Sequence, residues 1–164
     1  MKDSEYISAT IIILITIVLA IIVYMRFFDL NFFVGDFRLT HWFVWIGTFF
    51  IVIYSPIYYV AKRKYPLKTK AFLRVHVFGN LFSFMLITVH FAQQISRPAA
   101  FFPDLSTGLV LYIVMPILVA TGYLYRFRVF KSIKPHVNRF LHVSLTITFY
   151  ITIIVHILQG LSII

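Results

Sequence analysis

The sequence predicts an all-α membrane protein, a five-transmembrane-helix bundle in a single domain covering residues 1–164. Three observations predict it. The chain is 61% hydrophobic and only 12% charged, with a mean hydropathy of +0.93, more apolar surface than a water-soluble domain of this size can hide. Its apolar residues gather into five runs, each near the roughly 20 residues that cross a bilayer core. Its basic residues, which give a net charge of +10, cluster at the ends of those runs rather than along one face, so the charge follows the positive-inside pattern and points to membrane lipid and not to nucleic acid.

The spans are expected at about 7–27, 41–61, 72–95, 108–126 and 140–162. The first follows Lys2, Asp3 and Glu5 and has no small-x-small cleavage site before Arg26, so a retained helix is expected and not a removed signal peptide. The second and fourth contain Pro56 and Pro116. Proline removes a backbone donor, which neighbouring helices tolerate in a membrane; the kinks are either ordinary or widen the bundle for a bulky cofactor. The links KRKYPLKTKA (62–71) and RFRVFKSIKPHVNR (126–139) are strongly basic and are expected in the cytoplasm. This expectation puts the N-terminus inside and the C-terminus outside a cell membrane crossed several times. The links 29–40 and 96–107 mix aromatics with turn residues and suit the outer headgroup zone. There is no cysteine, which excludes disulfides, iron–sulfur clusters, thiolate zinc sites and covalent C-x-x-C-H haem attachment. No Gly-rich phosphate loop follows a strand.

The third and fifth spans carry the chemistry. His76 and His90 bracket one apolar stretch, and His142 and His156 bracket another; both read H-x13-H. Fourteen helical steps rise about 21 Å and fall about 40° short of four turns, so each pair lies on nearly one face. With both spans running from inside to outside, His76 and His142 share the inner level and His90 and His156 the outer. Paired imidazoles at two levels are what two stacked, bis-histidine, non-covalent haem b (heme b) groups require, and intramembrane ionisable groups point to function by default. Single interhelical histidines are the alternative. Zinc or copper at either level would want further ligands, and no Cys, Asp or Glu lies at those depths.

Other residues take part conditionally. Gly79 and Gly160, one turn after His76 and His156, let a macrocycle or another helix approach closely. Gly108 and Gly122, fourteen apart on span four, could offer a bare stripe to two porphyrins. Ser83 and Phe149 lie midway between the histidines of their helices; Phe149 either packs between macrocycles or fills core. Arg74 and Arg139 beside the inner histidines, and Arg97 and Arg38 at the outer side, could pair haem propionates bidentately or serve as interfacial anchors. His41 and His136 have no partner at this spacing and read as interfacial.

The stretches RVHVFGNLFSFMLITVH and NRFLHVSLTITFYITIIVH, with the basic link between, resemble the ferric reductase-like transmembrane domain. Ferric reductases, NADPH oxidases and the haem subunit of bacterial methionine sulfoxide reductase systems share that domain. The resemblance covers about 41–162, the haem-binding core. It implies axial iron ligation by His76 with His142 and by His90 with His156. It also implies electron transfer from a cytoplasmic flavoprotein or quinol to an acceptor outside. The family often has six spans and a flavin- and nicotinamide-binding domain; here flavin chemistry is expected on another polypeptide, with which the chain would act as an oxidoreductase. A quinone-reactive cytochrome b subunit of a larger respiratory complex, which also uses H-x13-H helices, and a haem-free membrane anchor are the alternatives.

Overall fold

The computed structural model describes residues 2–28, 30–98, 100, 105–129 and 132–160. Five helices dominate it, α1 (Lys2–Tyr24), α2 (Leu39–Lys64), α3 (Thr69–Ile95), α4 (Ser106–Phe127) and α5 (Pro135–Gly160). Each is long and apolar enough to cross a membrane. Among the described residues the fold is all-α save for one short hairpin, and the protein is a multi-pass membrane protein by the length and composition of these helices. Large apolar side chains such as Leu14, Val18, Ile53, Ile113 and Ile151 are exposed along them, as suits side chains that meet lipid rather than water. The chain divides into two compact units, Met1–Pro103 and Asp104–Ile164, a division that the even composition does not signal.

The helix ends differ from the expected ones for local reasons. α1 begins five residues early because Lys2–Tyr6 continues the helix, and it stops at Tyr24. There Arg26 turns left-handed (φ 60°), while the Phe27 amide donates back to the Ile22 carbonyl at 3.1 Å, a Schellman-type end in which an arginine stands where glycine is usual. α5 begins at Pro135, whose fixed φ suits the first helical position. α2 and α4 run on through Pro56 and Pro116.

In the first unit, α3 is the central helix. α1 packs against it in parallel, with Glu5 level with Arg74 and Val23 in one cluster with Val89 and Ala92. The buried face of α1 is a narrow stripe, Ala9, Thr16 and Val23, spaced by two turns; the Thr16 hydroxyl is satisfied by the Ile12 carbonyl at 2.8 Å. α2 packs antiparallel on α3. Gly47 allows it in close, since a Cβ there would stand 3.0 Å from the Ser83 carbonyl. Between α1 and α2, residues expected to be loop form a hairpin, β1 (Phe33–Val34) and β2 (Phe37–Arg38), paired Phe33 to Arg38 and Val34 to Phe37. Its two-residue turn starts at Gly35 with φ +64°, the position that calls for glycine in a II′ turn. The Trp42 indole donates to the Val34 carbonyl at 2.8 Å and holds the hairpin on α2.

In the second unit α4 and α5 are antiparallel partners. Gly108 lies against His156 and Gly122 against His142. Both pairs of numbers add to 264, so Met115 and Phe149, each 2% exposed, fall at the same level midway.

Candidate functional site

The two histidines of α5 have matching surroundings on α4. His142 Nδ1 lies 3.1 Å from the Thr121 hydroxyl, and His156 Nδ1 lies 3.0 Å from the Thr107 hydroxyl. The residue after each threonine is glycine. A Cβ at Gly122 would stand 3.0 Å from His142 Cε1, and one at Gly108 would stand 3.3 Å from His156 Cε1. The bare stripe at Gly108 and Gly122 therefore lies against imidazole rings. The reason is the antiparallel register, which sets a fourteen-residue interval on one helix against the same interval on the other. The signal was present as a Thr-Gly pair repeated at that interval, 107–108 and 121–122, of which only the glycines stand out in a search for close approach.

The hydrogen bonds decide which ring nitrogen carries the proton. The Thr121 hydroxyl donates to the Leu118 carbonyl at 2.9 Å, and the Thr107 hydroxyl donates to Gln159 Oε1 at 2.6 Å. A hydroxyl has one proton. With that proton spent, each threonine accepts from the histidine, so Nδ1 carries a proton, and in the neutral ring Nε2 keeps its lone pair. No hydrogen bond to Nε2 of either ring occurs among the described residues. Asn138, buried one turn before His142, donates to the Thr121 carbonyl at 3.1 Å and pins α5 to α4 at this level. Asn138, Thr107 and Thr121 are partners at this seam that the histidine spacing alone does not reveal. A neutral imidazole oriented through Nδ1–H, with Nε2 open, is the form that binds a metal, and the threonines are the outer partners such a ligand needs.

The histidines of α3 are held differently, along the seam with α2. The His76 ring stacks on Tyr58, with centroids 4.5 Å apart and planes 16° apart. The Asn80 amide nitrogen lies 3.2 Å from His76 Nδ1, while Asn80 Oδ1 is buried without a partner. The same nitrogen lies 3.5 Å from His76 Nε2, and a half-turn of that amide would give Oδ1 an Nδ1–H to accept. His90 packs against His41, centroids 5.3 Å apart at 58°. His41 thus reaches into the helix seam, where sequence alone places it at the interface: the antiparallel register brings the start of α2 to the end of α3. His136 is exposed.

The remaining predicted site residues separate. The open face of Gly79 is filled by the Phe50 ring of α2, so a helix neighbour lies against that glycine. Phe149 is buried at the level of Met115. Arg74 Nε pairs with Glu5 Oε1 at 2.6 Å and anchors α1 to α3. Arg139 is exposed. Arg97 lies just past α3 beside Arg26 and Arg38 around a cavity. Among the described residues no three His, Cys, Asp or Glu side chains gather as a metal cluster. Compared with protein-family models, curated proteins and solved structures, the chain has no match.

Proposed function

We propose that the protein is a di-haem b cytochrome that moves electrons across the membrane. His76 with His142 would hold the inner haem and His90 with His156 the outer. The observation that carries this reading is the repeated Thr-Gly/His arrangement, which orients His142 and His156 through Nδ1–H at two levels about 21 Å apart along α5. The donor set fits the group, because bis-histidine haem takes one neutral imidazole nitrogen from each side. When bound, haem supplies the one-electron chemistry. The chain's own residues do the rest. Thr107 and Thr121 fix ring tautomer and direction, Gly108 and Gly122 make room for the rings against α4, and Phe149 and Met115 keep the interval between levels apolar. The donor would be a cytoplasmic flavoprotein or a quinol, and the basic links 62–71 and 126–139 would steer an acidic donor protein. The acceptor, a ferric chelate, oxygen or a protein, would be reduced outside, as in the ferric reductase-like family.

The test is a visible spectrum of protein purified after haem-supplemented expression. A reduced b-type band with two haems per chain is the expected result, and a colourless preparation would remove the reading. A second reading, a haem-free membrane anchor with interhelical histidines, is favoured by the contacts of α3, where His76 stacks on Tyr58 and His90 packs at a tilt against His41. It requires that His90→Ala leave cofactor content and stability unchanged, whereas the haem reading requires that variant to lose one haem of the two.

A further inference from the structure

Arg26, Arg38 and Arg97 come from three different elements, the end of α1, the hairpin and the end of α3, yet line one cavity of about 630 Å³. No acidic side chain lines it among the described residues. The acceptors that two of the arginines have are neutral. Arg38 Nη1 donates to Asn31 Oδ1 at 2.7 Å, and Arg26 donates to the Ser96 carbonyl. Arg97 Nε is buried with no partner, and so is Gln93 Oε1 on the same wall. Like charges gathered in a part-buried cavity repel and lose hydration, so such a group persists with a counter-anion. Burial first, and then Arg38, lowers the pKa of the Arg97 guanidinium, the sign expected where like charge is uncompensated.

We propose that this cavity binds a phosphate group. Three guanidiniums offer more donors than one planar carboxylate can accept, and they suit a tetrahedral oxyanion with more acceptor positions. The cavity sits past the helix ends, at the headgroup level of a spanning helix, with Phe28 and Pro98 giving it an apolar side. Gln93 Oε1 would accept from a hydroxyl next to the phosphate, as a phosphoglycerol headgroup provides. The chemistry is shared by an anionic phospholipid and by free phosphate. The inference does not rest on haem binding.

The full chain, purified in neutral detergent, is heated with dioleoylphosphatidylglycerol, dioleoylphosphatidylcholine or inorganic phosphate. Stabilisation by phosphatidylglycerol and not by phosphatidylcholine is the result expected for a lipid site. Stabilisation by inorganic phosphate alone would support the site with a soluble ligand. Arg97→Ala and Arg38→Ala should weaken the effect about tenfold in ligand concentration, the loss of one charge-assisted contact, while Arg63→Ala at the far end of α2 should not. Should the cavity variants fail to fold, native mass spectrometry of the unaltered chain decides. One retained phosphatidylglycerol or one retained phosphate is expected, and retention of neither overturns the proposal. So would an undiminished effect in both folded arginine variants, or loss of one haem from a haem-loaded Arg97→Ala protein, which would give the arginines to the cofactor.

Discussion

Thr121 and Thr107 each spend their one proton on another acceptor, and that detail sets the state of the neighbouring imidazole. Thr121→Val keeps the shape of the side chain but removes the acceptor for His142 Nδ1–H. Loss of such an outer partner typically costs 10–100-fold in ligand affinity, so Thr121→Val should retain the inner haem that much more weakly and spare the outer one. Thr107→Val should do the reverse. The haem-to-protein ratio after dialysis against apomyoglobin reads both. Gly122→Val tests the seat itself, because a Cβ 3.0 Å from His142 Cε1 pushes the ring off its threonine; it should cost about 1–3 kcal/mol by overpacking, seen as a lower melting temperature with loss of the same haem. The histidines were legible because their spacing repeats. The threonines were not, since a helix alone does not say which residue of a facing helix meets which.

The helices were legible as elements, and their ends less so. Apolar run length defines a span, whereas Arg26 ends α1 by adopting a left-handed backbone that an arginine does not advertise. The seam of α2 with α3 depends on Gly47, where a larger side chain would meet the backbone at Ser83. Gly47→Leu should cost about 1–3 kcal/mol, with a clear fall in melting temperature, and should separate His41 from His90. Arg74→Ala, by contrast, should change stability by under about 1 kcal/mol. The arginine end of its pair with Glu5 is 46% exposed, and solvated ion pairs are weak. Unchanged haem content in that variant would agree with an anchoring role, and a lost haem would restore the propionate role that its spacing from His76 suggests.

Across the whole molecule, the absence of cysteine makes topology simple to test. Lys68→Cys and Ser132→Cys should resist a membrane-impermeant maleimide in intact cells, and Asp36→Cys should react, if the two basic links are cytoplasmic. The reverse pattern would invert the direction of electron flow proposed above. Composition by itself determined that this chain is a helical membrane protein with five spans, because hydrophobic length against bilayer thickness needs no partner to be read. The four imidazoles at a fourteen-residue interval were likewise written in one dimension. Only tertiary structure decided that Gly79 receives Phe50, that Gly108 and Gly122 receive histidines, that His41 meets His90 and that three arginines share a cavity. Such pairings depend on how neighbouring helices slide and turn against each other, and no single helix carries that information.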